Sequence, residues 1–269
     1  MSEPATPAIP SSPAASLSDA PDRVRALADL IAASHRIVAF TGAGISTESG
    51  IPDYRGPGGV WERNAPPTIG DFLDNPETRR RYWENRQRTY PDLLAREPNA
   101  GHRALVDLER SGRLAAVVTQ NIDGLHLRAG HRADRVIELH GTAHRVRCVD
   151  CGTEWSGSEV QARLDRGELP PACPVCGGVL RTATILFGEP LPPGALERAV
   201  AAARGADLML VVGSSLVVQP AARLPQIAKR SGAKVAIVNR MDTPLDEIAD
   251  VRLFGDAGPT LSAVVPSAP

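Results

Sequence analysis

Lysine is almost missing from this 269-residue chain: Lys229 and Lys234 are the only two, and the basic charge is carried by arginine. Arginine is the better donor to phosphate and carboxylate, but so uniform a skew in an Ala- and Arg-rich chain reads as genome composition rather than as a binding surface. The formal net charge is -1, so no overall field favours nucleic acid or a membrane surface and partners must be recognised locally. Apolar runs of about eighteen or more residues are absent, because Gly, Ser and Thr interrupt stretches such as Leu208–Val218, and a membrane-spanning helix is excluded. Residues 1–20 contain no Lys, Arg or apolar run, which argues against a secretory signal and an Arg-rich transit peptide. Their Pro, Ala and Ser content reads as a disordered tail, and a cytoplasmic location is expected. Cysteine is absent outside one short stretch, leaving none for a disulfide elsewhere or for a cysteine nucleophile.

What is present is ordinary for a soluble globular protein, with 42% hydrophobic and 23% charged residues. The length lies near the upper size of a single core, so one large domain carrying a smaller module is expected. Short β-branched runs at Arg36–Phe40, Leu114–Thr119, Arg135–Leu139, Asp207–Val212 and Lys234–Asn239 read as buried strands. Helical patterns at Asp22–Ala33, Ala100–Ser111, Pro193–Ala203 and Ala221–Arg230 separate several of them. This alternation predicts an α/β, Rossmann-like parallel sheet with helices on both faces. Two intervals break the rhythm. Residues 52–99 lack a convincing strand and read as a loop plus helices inserted over the sheet, and the cysteine stretch reads as a second, small module. The expected division is therefore a tail at 1–20, a nucleotide-binding domain at 21–142 and 184–265 with a helical insertion at about 55–99, and a zinc-ribbon module at 143–183.

The first strand runs directly into Gly42-Ala43-Gly44, placing backbone N–H groups where phosphates bind in open parallel sheets. The ordinary dinucleotide fingerprint is incomplete, since Thr47 occupies its third glycine position and no acidic strand end follows about twenty residues later. A standard dehydrogenase is therefore disfavoured. Downstream, Gly50-Ile51-Pro52-Asp53-Tyr54-Arg55 supplies a carboxylate suited to an amide such as nicotinamide and a guanidinium suited to phosphate, or else a surface Asp-Arg pair.

These residues resemble the sirtuin (Sir2) family, whose GAGxS and GIPDFR elements correspond to GAGIS and GIPDYR here. The resemblance continues through TQNIDGLH at 119–126, ELHGT at 138–142, Phe187-Gly188-Glu189, Gly213-Ser214-Ser215-Leu216 and Asn239, in the family's order over roughly residues 22–261, and is greatest to class II sirtuins. It implies an NAD-dependent protein-lysine deacylase, a transferase that moves the acyl group to ADP-ribose. Ala43, Ser46, Ile51, Asp53, Asn121 and Asp123 would line the nicotinamide and ribose pocket, Gly42, Gly44, Glu48 and Arg55 would frame the phosphates, and Tyr54, Gln120 and Ile122 would also bind the cofactor. Gly213, Ser214, Ser215, Asn239, Arg240, Met241 and Ala257 would surround the adenosine half, and Phe187, Gly188, Glu189 and Leu216 would meet the substrate. By the same resemblance the acyl oxygen attacks C1′ of the nicotinamide ribose, and neutral His140, aided by Asn121 and Asp123, takes a proton from a ribose hydroxyl so that this oxygen attacks the acyl carbon. Imidazole suits the task because its unperturbed pKa is about 6.5. Of the six histidines, His126 is expected in a supporting role and the others to be structural or solvated.

Cys148-x2-Cys151 and Cys173-x2-Cys176, with 21 residues between them, are spaced to close two knuckles on one tetrahedral Zn2+. Four thiolates leave no open position, so a structural metal is expected. A zinc ribbon can also bind nucleic acid, but Glu154, Glu159, Asp165 and Glu168 outnumber Arg163 and Arg166 between the pairs, and no basic-aromatic surface emerges. The expected partners are acyl-lysine proteins, with no nucleic acid and no membrane, and the chain is expected to be a monomer.

Desuccinylating sirtuins carry a Tyr-x-x-Arg pair where this chain has Trp83 and Arg86; Trp83 either packs the helix onto the core or marks an altered acyl pocket. The Arg181–Leu186 segment, expected to pair with the substrate backbone, departs from the usual Arg-Pro-x-Val at Thr182–Thr184. Acyl length stays open. ADP-ribosyl transfer to protein is the enzymatic alternative, and NAD sensing or zinc-ribbon binding the non-enzymatic one.

Overall fold

A computed structural model describes residues 20–53 and 67–266; Tyr54, Arg55 and the expected tail lie outside them, except for Ala20, which opens the first helix. Six parallel strands form the main sheet: β1 (Ile37–Thr41), β2 (Leu114–Thr119), β3 (Val136–Glu138), β7 (Leu208–Val212), β8 (Lys234–Val238) and β9 (Val251–Leu253), in the order β3-β2-β1-β7-β8-β9. Five of these strands coincide, within a residue or two, with the apolar runs. The sixth, β9, is three residues long with only Leu253 buried, too little for a period to be visible.

The side-chain period of two explains why such runs are apolar throughout. Ile37, Ala39, Leu208, Leu210, Val212, Ala236 and Val238 face one cluster with α1 (Ala20–Ala33), α4 (Ala100–Arg110) and α9 (Ala257–Val264). Val38, Phe40, Met209, Val211, Val235 and Ile237 face the opposite cluster with α7 (Ala195–Arg204) and α8 (Leu224–Arg230). The two central strands, β1 and β7, are therefore buried along their whole length.

The strand order reverses at β1. The chain steps from β1 outward through β2 to β3, then returns to lay β7 on the other side of β1 and continues outward. Between these halves it builds an antiparallel sheet of β4 (Gly141–Cys148), β5 (Glu154–Ser156) and β6 (Leu180–Thr184), in the order β5-β4-β6, with α6 (Gly157–Asp165) beside it. This small sheet starts one residue after His140.

The helical insertion contains α2 (Ile69–Asp74) and α3 (Pro76–Ala95). Asn75 caps α3 by accepting from Glu77 N and Thr78 N, and Pro76 opens the first turn, where no donor is needed. Pro91 lies inside this helix and supplies no N–H to the Gln87 carbonyl. The Gln161 side chain of α6 donates to that carbonyl instead, at 3.1 Å, so the helix defect becomes a joint to the small module.

Trp83 is the other joint. It is wholly buried with Val146, Cys148, Val160, Leu164, Cys173 and Leu180, which settles its role as packing. Truncating a buried aromatic of this size costs about 3–5 kcal/mol. Trp83→Ala should lower the unfolding free energy by about that amount in denaturant titrations, and a loss below about 1 kcal/mol would show that the ring does not hold α3.

Candidate functional site

The reversal of strand order leaves a crevice at the carboxyl ends of β1 and β7. Gly42 N donates to Val212 O at 3.1 Å and Gly44 N to Gly213 O at 2.8 Å, holding the two turns back to back. No side chain fits between them: a Cβ on Gly44 would stand 2.7 Å from Gly213 Cα, and one on Gly213, whose φ is +62°, would stand 2.3 Å from Ile45 N. A short 3-10 helix, Ala43–Ser49, then leads away from the turn.

Above the turns lies a cavity of about 1050 Å³. Its wall includes the strand-end residues Gly42, Ala43, Gly44, Ser46, Ile51, Asp53, Gln120, Asn121, Ile122, Asp123, His140, Gly213, Ser214, Ser215, Asn239 and Met241, together with Phe187, Gly188 and Glu189. The structure thus gathers residues from Gly42 to Met241 onto one surface.

Four expected residues stand outside that wall. The Glu48 carboxylate accepts from Gly258 N at 2.7 Å and so holds the first turn of α9. Arg240 pairs with Asp256, and Ala257 is buried in the core at the start of α9. Leu216 has a left-handed backbone, φ +54°, and its side chain belongs to the apolar cluster of α7 and α8.

The polar groups beneath the cavity form an ordered chain. Asn121 Nδ2 donates to Gly42 O and to Ser46 Oγ, both at 3.1 Å. Ser46 Oγ in turn donates to Asp123 Oδ2 at 2.7 Å, and Leu125 N, at the start of α5 (Leu125–Ala129), donates to Asp123 Oδ1 at 2.9 Å. Burial pushes the Asp123 carboxyl up from the ordinary range, and these two donors pull it partly back. Gln120 reaches across to Ser214 Oγ at 2.8 Å, tying β2 to the β7 turn.

His140 is half-buried, and its Nδ1 is 3.0 Å from the Gln120 carbonyl oxygen. A carbonyl only accepts, so Nδ1 carries the proton and the lone pair of the neutral ring lies on Nε2.

His126 stands behind this floor. Its Nε2 meets Thr41 Oγ1 at 2.9 Å, Thr41 donates to Thr119 Oγ1 at 2.9 Å, and Thr119 accepts Asn121 N at 3.0 Å. The His126 ring lies between those of His102 and His131, with centroids 4.9 and 5.6 Å away and the planes inclined by 57° and 60°.

Of the wall contributed by α3, sequence reasoning named only Arg86 and did not identify Tyr82, Asn85, Thr89, Tyr90 and Leu93. Their spacing of three or four is a helical stripe, but a polar stripe on an Arg-rich helix is indistinguishable from a solvated face without the sheet beneath it. Arg86 is buried, stacks 3.8 Å from the Tyr90 ring centroid, and donates to Ala143 O and Gly157 O at 3.2 and 3.3 Å. Thr182 and Thr184 line the same wall from β6, an edge strand of the small sheet, and Tyr82 bonds to the Thr182 hydroxyl. Glu189 accepts Leu186 N at 2.8 Å and pairs with buried Arg181 at 2.5 Å, which fixes the turn carrying Phe187.

The four cysteine sulfurs lie within 4.8 Å of one another. Cys148–Cys176 at 3.5 Å and Cys151–Cys173 at 3.7 Å are far beyond a disulfide length and near the ~3.8 Å edge of a tetrahedron with ~2.3 Å zinc–sulfur bonds. The donor set fits one structural Zn2+ held by all four thiolates.

Among the described residues, no helix is long and apolar enough to cross a membrane. The Sir2 family model matches residues 42–220. An NAD-dependent protein deacetylase of Bradyrhizobium diazoefficiens is 46% identical over 92% of this chain and 97% of its own length, and an NAD-dependent protein deacylase of Archaeoglobus fulgidus is 45% identical over 91% and 95%. Among solved structures, a Sir2 protein with a p53 peptide and NAD+ superposes with a TM-score of 0.82 at 40% identity, covering 90% of this chain and 96% of that one. A Sir2 protein bound to a propionylated peptide gives 0.80 at 39%, with the same coverage.

Two outcomes follow from the geometry. Burial lowers the pKa of His102 from 6.5 to about 4 and also holds that of His126 well below its ordinary value. The unfolded chain therefore takes up protons below pH 6.5 that the folded chain refuses, and stability is lost as pH falls from 6.5 toward 4, by about 3 kcal/mol for His102 alone. Denaturant midpoints of wild type and His102→Gln should therefore converge with acidification, whereas parallel profiles would remove His102 as a cause. Elemental analysis should find one zinc per chain, and structural zinc supplies an apparent ~10–16 kcal/mol. Its removal by chelation, or Cys173→Ser, should unfold the small module, and a metal-free chain with unchanged circular dichroism would contradict this.

Proposed function

This chain belongs to the Sir2 family, and on that premise we propose that it removes acyl groups, acetyl or longer, from protein lysine side chains, consuming NAD and releasing nicotinamide, O-acyl-ADP-ribose and the free lysine. The observation that carries this reading is the position of His140 at the cavity wall beside the Asn121–Ser46–Asp123 chain, with its tautomer set by the Gln120 carbonyl. When bound, NAD supplies the scissile bond between C1′ and nicotinamide.

The Gly42–Gly44 turn offers backbone N–H groups to the phosphates, and Gly213–Ser215, Asn239 and Met241 hold the adenosine half. Asn121, Asp123 and Asp53 orient the nicotinamide ribose and its amide. His140 Nε2 is the general base that takes the ribose hydroxyl proton, a contribution of about 10²–10⁴-fold. Phe187 to Glu189 and the edge of β6 receive the peptide, in the manner of an added strand. The four thiols are unpaired in the fold and suit a reducing compartment, and we place the protein in the cytoplasm.

Incubation with NAD and a panel of acyl peptides should yield nicotinamide, O-acyl-ADP-ribose and free lysine in equal amounts by mass spectrometry. Protein labelling that is independent of acyl-lysine would favour ADP-ribosyl transfer, and absence of nicotinamide release would favour a sensor. His140→Ala should abolish deacylation while NAD still binds; near-normal turnover in that variant removes His140 as the base.

A further inference from the structure

His144 belongs to none of the motifs that mark the site, yet it touches the site's floor. It lies on β4, four residues after His140, and its Nε2 is 2.7 Å from the Asp123 carbonyl oxygen. That oxygen only accepts, so Nε2 carries the proton, and Nδ1 of the neutral ring accepts from the Tyr90 hydroxyl of α3 at 3.2 Å. The ring is seated against Gly124, whose φ is +68°; a Cβ there would stand 2.7 Å from His144 Cδ2. One residue earlier, Ala143 N donates to Ile122 O at 2.9 Å, and Arg86 holds Ala143 O from the other side while stacking on Tyr90.

Helix α3 therefore grips β4 through Arg86 and Tyr90, and β4 grips the Ile122–Asp123 backbone through Ala143 and His144. The Asp123 carbonyl is fixed at the residue whose carboxylate anchors Ser46 and Leu125. We propose that His144 is a positioning residue: through the Tyr90–His144–Asp123 relay it holds the 120–124 loop in the conformation that binds the nicotinamide end of NAD. The inference rests on the proposed assignment of that loop to NAD. Without the imidazole the Asp123 carbonyl is free to rotate, and part of NAD's binding energy goes into ordering the loop.

The test is calorimetric NAD binding to the zinc-loaded full chain, together with KM for NAD and for an acetyl peptide. One net hydrogen bond corresponds to about 0.5–1.5 kcal/mol, so His144→Ala should weaken NAD binding by roughly 3–10-fold and raise KM for NAD equally, with KM for the peptide unchanged. Tyr90→Phe should shift NAD affinity in the same direction by less. His144→Gln, whose amide can donate to Asp123 O and accept from Tyr90, should restore affinity to within about twofold of wild type. A purely structural role would instead lower the unfolding midpoint and affect NAD and peptide alike, without rescue by glutamine. NAD affinity in His144→Ala equal to wild type overturns the proposal, as does a proportional loss for both ligands or absence of NAD binding by the wild type. If wild type binds NAD with the expected variant shifts but releases no nicotinamide, the relay stands and the deacylase reading falls.

Discussion

The contact on which the rest of the site depends is the one between the backbones of Gly42, Gly44 and Gly213. Two turns on adjacent parallel strands approach until Gly44 N bonds to Gly213 O at 2.8 Å, a distance that leaves no volume for a Cβ on the facing residues. Everything that follows β1 is placed by that closeness. The 3-10 helix carrying Ser46 starts from it, Asn121 donates to Gly42 O over it, and Gln120 spans it to Ser214. The constraint is steric, so it holds whether or not anything is bound.

Side chains exposed on a single sheet edge would give a shallow groove, and the depth comes from α3. That helix is bound to the small module by wholly buried Trp83, which packs among residues that include Cys148 and Cys173, and by the Gln161 amide that answers Pro91. On the cavity side of the same helix are Tyr82, Arg86 and Tyr90. A metal bound by the four thiolates would therefore stabilise more than its own knuckles. It would set the position of the helix opposite the nucleotide turns, which explains why a metal with no open coordination site belongs in this architecture.

Five strands of the main sheet were legible because buried parallel strands are apolar on both faces, and the floor of the site was legible because glycine, Asn121 and Asp123 occur in contiguous motifs. The remainder depends on long-range juxtaposition. Leu216 and Ala257 lie beside motif residues in sequence, but turn into the core, and Glu48 points to α9. Conversely, Tyr90 and His144 are 54 positions apart and carry no local signal: the value of a hydroxyl or an imidazole there comes from the carbonyl it faces, which only the fold supplies. β9 escaped notice for a simpler reason, since three residues are too few to display a period.

The partner chosen to orient His140 also bears on the chemistry. A carboxylate behind an imidazole both fixes its tautomer and stabilises the imidazolium, which favours a strong base. Here Nδ1 faces the neutral Gln120 carbonyl, which fixes the tautomer and leaves the Nε2 lone pair as the proton acceptor in the proposed reaction. The carbonyl belongs to the residue that also bonds Ser214 and precedes Asn121, so the proposed base is oriented by the same loop that is proposed to hold the ribose. In that reading the ring and the group it deprotonates are displaced together when that loop moves, and their alignment does not depend on a separate element.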